Sequence, residues 1–184
     1  AKRTLEKILP FIEGKLFLKV NREKTKVAHV KDVKFLGYGF YIYRGEGRLR
    51  IHPKSVRKLK EKIRIVTGRS NGMGIDERKS RLNSIVRGWM NYFKLADAKQ
   101  LLQGLDEWIR RRIRMVTWKR WKKIRTRWMN LMRAGIDRKQ AWMWAITRKG
   151  YWRVANSPIL KIAISNNLIR RAGYLSLMEI YSNS

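Results

Sequence analysis

Residues 110–127, RRRIRMVTWKRWKKIRTR, hold ten Arg or Lys side chains and no acidic one. The chemistry open to such a set is electrostatic. Lys supplies a point charge for a phosphate, and Arg adds a planar fork for bidentate phosphate contacts and for stacking. The set comprises Arg110, Arg111, Arg112 and Arg114, then Lys119, Arg120, Lys122, Lys123, Arg125 and Arg127. Similar groups stand at Lys54, Arg57, Lys58, Lys60, Lys62 and Arg64, at Arg78, Lys79 and Arg81, and at Arg148, Lys149 and Arg153. Together they are the candidate contact surface for a polyanion. Phosphate contacts of this kind fix position and carry no base sequence information. Eight tryptophans accompany them. Trp beside Arg can stack on an unpaired base, but Trp89, Trp108, Trp121 and Trp128 stand at helical core spacing and read as buried platform.

Catalytic chemistry is sparse by comparison. The thirteen acidic residues form only two adjacent pairs, Asp76-Glu77 and Asp106-Glu107. Neighbours on a helix point in different directions, so neither pair suggests a two-metal carboxylate site. His29 and His52 lie in or beside alternating segments with no companion ligands and read as strand-edge histidines. GRSNGMG (68–74) lacks the Gly-Lys-Ser/Thr ending of a phosphate loop and reads as a flexible inter-helix turn. No catalytic residue and no metal ligand is assigned. Cysteine is absent, which removes disulfides and thiolate metal sites and fits a reducing cytoplasm.

The totals bound the partner. A net charge of +32 over 184 residues repels itself in a compact state and is useful beside a polyanion. With 44% hydrophobic residues the chain can build a core. Nucleic acid is the default partner, through counterion release. No apolar run approaches a membrane span and the basic residues spread along the chain, so no membrane partner is expected.

The elements that must carry these side chains divide at Pro53. Before it, Leu5, Ile8, Leu9 and Ile12 mark a helix that Pro10 should confine to its early part. GKLFLKV (14–20), KTKVAHV (24–30), VKFLGYGFYIY (33–43) and RLRI (48–51) alternate as strands do, the last after a turn at Gly45-Glu46-Gly47. After it, only helices are expected. One starts at Pro53 with the stripe Val56, Leu59, Ile63 and Val66. A second follows Asp76-Glu77 with Leu82, Ile85, Val86, Trp89 and Phe93. A third is capped by Asp97 and carries Leu101, Leu102, Leu105, Ile109, Ile113 and Val116. The apolar stripe then loses phase between Val116 and Trp118, which predicts a kink or break over 117–124. Asp137 should cap a helix over 138–147, and Ser157-Pro158 should open another. The fold class is α+β: a short N-terminal helix and small antiparallel β unit, then an all-α helical bundle.

Several stretches, in order, resemble the C-terminal part of a bacterial group II intron reverse transcriptase/maturase. LKVNREKTKV (18–27) followed by VKFLGYGFYI (33–42) is similar to the end of its palm. Asn21, Lys24 and Thr25 match the family's Asn-x-x-Lys-Thr motif, and Phe35, Leu36 and Gly37 match its primer grip. LNSIVRGWMNYFK (82–94) is similar to the thumb helix, RRRIRMVTWKRWKK and TRKGYWRVANSPIL (147–160) to later maturase signatures, and GYLSLMEIY (173–181) to the end of members without an endonuclease module. The resemblance implies a palm end over 1–51, a three-helix thumb over 53–116 and a maturase-specific extension over 117–184. It implies group II intron RNA and an RNA template–DNA primer duplex as partners, in a bacterial cytoplasm. The family's catalytic aspartates would lie upstream of this chain, which alone is expected to be inactive. A separate N-terminal catalytic half is then a possible partner, and no cofactor is expected here, Mg2+ belonging to the complete polymerase. A-form RNA hides its base edges, so backbone and 2′-OH contacts should dominate. Replacing Arg110, Arg111, Arg112 and Arg114 with Gln is expected to weaken RNA binding while helix content persists. Two rivals remain: a polymerase half acting in trans, and a general basic nucleic-acid-binding protein.

Overall fold

The computed structural model of the chain describes residues 1–25 and 27–183. Lys26, within the strand expected over 24–30, and Ser184, the last residue of the expected extension, lie outside them. The order of elements is a helix α1 (Lys2–Gly14), a short 3-10 turn (Val30–Asp32), three strands and nine further helices. The architecture is α+β, with a small antiparallel sheet leading into a helical bundle.

The strands are β1 (Lys34–Phe35), β2 (Tyr38–Tyr43) and β3 (Glu46–Ile51), paired in the order β1-β2-β3. Both connections are two-residue turns with positive φ at each central position: Leu36 and Gly37, then Arg44 and Gly45. Two such residues supply the twist that a tight antiparallel hairpin needs. The second turn thus sits one residue earlier than Gly45-Glu46-Gly47, and β3 begins at Glu46. Among the described residues of 14–20 and 24–30 no strand forms. Alternation alone is not a strand without a paired backbone. Here Leu16 N and Leu18 N donate back to Phe11 O and Ile12 O of α1, while Phe17 takes a positive φ. Pro10 does not end α1; it lies inside a helix that continues to Gly14.

The bundle comprises α2 (Pro53–Val66), α3 (Ile75–Phe93), α4 (Lys99–Arg120), α5 (Ile124–Arg133), α6 (Arg138–Ala145), α7 (Tyr151–Val154), α8 (Pro158–Ala163), α9 (Asn166–Arg171) and α10 (Leu177–Ser182). Leu59 and Ile63 of α2, Leu82, Val86 and Met90 of α3, and Leu102, Leu105 and Ile109 of α4 are buried in one continuous core. The helix break expected over 117–124 lies at residues 121–123, and α4 runs on through residues 116 and 117 to Arg120. The loss of phase has another cause: α4 packs on α10 along one side and on α7 along another. Met115 and Trp118 therefore become buried alongside Ile113 and Val116.

Caps settle the register of several helices. Asp137 Oδ2 accepts from Lys139 N (2.9 Å) and Gln140 N (3.2 Å), and Ser157 Oγ accepts from Leu160 N (3.3 Å), as the sequence suggests. Asp97 does not cap α4. Its N–H donates to Leu49 O of β3 and its carboxylate receives the Tyr41 hydroxyl, which ties the sheet to the start of α4. The histidines are caps rather than strand-edge residues: His52 Nδ1 accepts from Lys54 N (3.1 Å) at the start of α2, and His29 Nδ1 from Lys31 N (3.3 Å).

Candidate nucleic-acid interface

On α2, positions 54, 58 and 62 fall four apart and so share one face of the helix. Lys54, Lys58 and Lys62 are exposed, and with Lys34 of β1 they edge a groove of about 640 Å³ between α2 and α3. The opposite wall is α3, through Ser84, Ile85, Gly88, Trp89 and Tyr92. The same helix continues the surface with Ser80, Asn83, Arg87 and Asn91 around an adjoining hollow of about 490 Å³. Ser80, Ser84 and Gly88 recur every four residues, so α3 presents a low ridge that a sugar–phosphate backbone can approach closely. No ammonium of Lys34, Lys54, Lys58 or Lys62 has an ion-pair partner among the described residues, and no acidic side chain lines the groove. Lys34, Arg87 and the small residues of α3 were not singled out from the sequence. Their signal was the four-residue spacing of Ser80, Ser84 and Gly88, hidden within a helix read for its apolar stripe.

The Phe35-Leu36-Gly37 turn stands at the end of this groove. Gly37 O accepts from His52 N (3.0 Å) and Ser55 Oγ (2.9 Å), and Tyr92 Oη donates to Leu36 O (2.7 Å). A Cβ at position 37 would meet Ser55 Oγ at 2.9 Å and Phe93 Cζ at 3.1 Å, so both φ and space require glycine. Phe35 and Leu36 project outward from this fixed turn, 62% and 65% exposed. Asn21 organises a separate turn. Its Oδ1 accepts from Lys24 N (3.0 Å), and Thr25 Oγ1 donates to Asn21 O (2.8 Å), leaving the Lys24 side chain exposed.

The arginines of the opening stretch behave differently. Arg114 is buried, with Nε donating to Ile164 O (2.8 Å) and Nη2 to Asn166 Oδ1 (2.7 Å). Arg112 reaches the end of α2, donating to Thr67 Oγ1 (2.8 Å), Thr67 O (3.1 Å) and Arg64 O (3.3 Å). Arg111 donates twice to Trp152 O (3.2 and 2.9 Å) and lies 3.8 Å from the Trp152 ring centre. Arg110 approaches the buried Asp106 at 4.0 Å. Burial pulls Arg111, Arg112 and Arg114 below the ordinary Arg range, with the Arg64 and Arg69 charges adding for Arg112 and the Arg110 charge for Arg114. They stay charged at neutral pH. Arg78 is likewise buried, donating to Val66 O (3.1 Å) and Asn71 Oδ1 (2.8 Å). Asn71 Nδ2 in turn reaches Ile65 O (3.0 Å) and Val66 O (2.9 Å), so the 68–74 connection is pinned rather than flexible. Between them, Arg112, Asn71 and Arg78 satisfy the last carbonyls of α2, which a helix cannot satisfy itself.

Beyond the break, Lys122, Lys123 and Arg125 are exposed, as are Arg120 before it and Arg148, Lys149 and Arg153 further on. Arg127 turns inward, donating to Trp121 O (2.9 Å) with its guanidinium 4.8 Å from the Trp118 ring centre. Lys119 lies 6.0 Å from the Tyr151 ring centre. Arg57, Lys60, Lys62 and Arg64 cover the outer faces of α2, Lys60 and Arg64 each 5.7 Å from the Trp108 ring centre. Lys79 and Arg81 pair with Asp76 (3.3 Å) and Glu77 (2.8 Å). Trp118 is fully buried and Trp89, Trp108, Trp121 and Trp128 are partly buried against the core, whereas Trp142 is half exposed.

Carboxylates suited to a metal are not gathered here. Among the described residues no three His, Asp or Glu side chains lie together. Asp106, the one buried carboxylate among the described residues, accepts from Leu177 N (2.9 Å), Met178 N (3.0 Å) and the Ser176 hydroxyl, capping α10. Among the described residues no helix is long and apolar enough to cross a membrane.

No curated protein matches the chain. Residues 56–135, which span most of α2 and all of α3, α4 and α5, and with them Lys58, Lys62 and the α3 wall of the lysine groove, match the family described as the group II intron, maturase-specific domain. These residues are similar to that maturase-specific domain, consistent with a C-terminal maturase part of a group II intron reverse transcriptase.

Proposed function

We propose that the chain is the RNA-holding thumb and maturase portion of a group II intron reverse transcriptase, supporting splicing and retrohoming. The observation that carries this reading is the row of unpaired lysines facing a ridge of small residues, of which Lys58, Lys62 and the ridge lie in the matched domain. Lys34, Lys54, Lys58 and Lys62 hold the backbone of an RNA template–DNA primer duplex, and Ser80, Ser84, Asn91 and Arg87 reach its sugar and phosphate oxygens. Phe35 and Leu36, on their rigid turn, abut the primer end. Lys122, Lys123 and Arg125 hold intron RNA. Such contacts read shape and backbone, the features an A-form helix displays.

The test is binding of an RNA–DNA hybrid by Lys54→Gln/Lys58→Gln/Lys62→Gln across a salt series. Losing three phosphate contacts should flatten the log–log salt slope by about 2–3 and cost roughly 10- to 100-fold in affinity at low salt. An unchanged slope removes the groove from the interface.

A second reading is favoured by the N-terminal region. Ile8, Phe11, Leu16, Phe17 and Leu18 are 45–87% exposed along α1 and the segment after it. An apolar surface of this kind suits a protein neighbour, and a catalytic reverse transcriptase portion is the neighbour we propose. Mixing the chain with such a portion should raise primer extension. A Phe11→Asp/Phe17→Asp variant should not.

A further inference from the structure

The helix break at 121–123 leaves a second groove, of about 690 Å³, on a different set of walls from the lysine groove. One wall is the end of α4 with Trp121, another the end of α5, and the third α8, α9 and the chain after them. Its lining is mixed in a specific way. Ile162, Ile164 and Leu168 supply apolar surface, and Ile162 and Leu168 are 59% and 50% exposed. The rings of Trp121 and Tyr174 border it. Arg120, Arg133 and Arg171 stand around the rim, all exposed, and no acidic residue lines the groove.

These three arginines differ from those in the middle of α4. None of them has a hydrogen-bond, ion-pair or ring partner among the described residues, so their donors are available to a ligand. Asn167 also has no side-chain partner among the described residues. Asn130 donates its amide to Thr126 O (2.8 Å) and keeps its carbonyl for another donor. A groove with apolar floor, aromatic border, two amides and three free guanidiniums fits one ligand chemistry: a base together with its flanking phosphates. Its size lies in the range of small-ligand sites, about 300–1,000 Å³. A duplex cannot fill it, because paired bases are stacked inside and only the backbone reaches the protein. A splayed, unpaired nucleotide can.

We propose that this groove receives an unpaired nucleotide of RNA, its base on the Leu168 floor beside Trp121 and its phosphates at Arg120, Arg133 and Arg171. The inference deepens the proposed function and rests on it for RNA as the partner. Charge complementarity argues for RNA over a protein segment: the cation-rich rim continues directly into exposed Lys122, Lys123 and Arg125.

The test compares two probes carrying the same number of phosphates, an oligouridylate and a blunt RNA duplex, with helicity checked by circular dichroism. Two variants are used. Arg120→Gln/Arg133→Gln/Arg171→Gln removes the free guanidiniums. Leu168→Lys removes apolar floor while adding a positive charge. Both should weaken oligouridylate binding by roughly tenfold and duplex binding by less than about twofold. Leu168→Lys is the decisive arm, since simple charge attraction predicts tighter binding. Tighter or unchanged oligouridylate binding by Leu168→Lys overturns the proposal, as does a parallel loss on both probes. Oligouridylate binding unmoved by either variant also overturns it and leaves the groove to a protein segment. The proposed duplex interface fails separately, if Lys54→Gln/Lys58→Gln/Lys62→Gln keeps full duplex affinity while the groove variants still discriminate.

Discussion

The basic face of α2 and the basic middle of α4 look alike as strings of letters and differ in use. On α2 the row is lysine, four residues apart, exposed and unpaired. In the middle of α4 it is arginine, and Arg111, Arg112 and Arg114 spend their donors on carbonyls of Trp152, Arg64, Thr67 and Ile164. The chemistry of the two side chains explains the division. A guanidinium is weakly hydrated and its rigid fork can bind two acceptors at once, so it tolerates burial among backbone carbonyls. An ammonium is strongly hydrated and stays at the surface. Counting basic residues therefore overstates the surface open to a polyanion, and the identity of each residue corrects the count.

Breaking the buried side of the comparison should have the largest effect. Arg114→Ala leaves Ile164 O and Asn166 without their donor and opens a hole beside α4; we expect a loss of about 3 kcal/mol, read as a Tm lower by roughly 6–12 °C. Asp106→Ala should cost about 2 kcal/mol, because three donors at the start of α10 lose one acceptor; urea unfolding would measure it. Arg112→Lys should cost about 1–2 kcal/mol, since a single ammonium cannot serve Thr67 and Arg64 together. On the exposed side, Lys54→Gln/Lys58→Gln/Lys62→Gln should shift stability by no more than about 0.5 kcal/mol per site while reducing hybrid binding. If the lysine variants unfolded the protein and Arg114→Ala did not, the division would be reversed.

The smallest effect concerns His52. Burial, then the charges of Lys34, Lys54 and Arg50, lower its pKa, and its Nδ1 must be neutral to accept from Lys54 N. The unfolded chain therefore takes up the proton first. Stability contributed by the neutral ring is present above the ordinary His value and is lost as pH falls below it, until the folded form protonates too. Between about pH 7.5 and 5.5, the Tm of the wild type should fall slightly more than that of His52→Asn, which keeps an α2 cap without a titrating ring.

Much of the helical bundle was legible from apolar spacing. Leu59, Ile63 and Val66, then Leu82 and Val86, then Leu102, Leu105 and Ile109 all lie in the core. Local chemistry was legible where a cap works through its own helix, as with Asp137 and Ser157. It failed where the partner is distant in sequence. Asp97 looked like a cap and instead serves Tyr41 and Leu49, some fifty residues away. The strands expected over 14–20 and 24–30 had the right period but no backbone to pair with. Family likeness singled out Phe35, Leu36 and Gly37, but the segment 33–43 read as one strand, and the turn that splits it and its attachment to Ser55, His52 and Tyr92 could come only from three dimensions. The groove beside Trp121 was invisible to periodicity, since its walls come from five separate helices.

The stapling of α2 has a further consequence, for how the molecule responds to ionic strength. Arg78 and Arg112 are held by carbonyl dipoles rather than by counter-charges, and dipole contacts in a partly buried setting are little weakened by dissolved ions. Added salt also relieves the mutual repulsion of a chain at +32. Fold and interface should then separate along a single axis. As salt rises, nucleic acid held at the proposed interface should be released while the melting temperature holds or climbs.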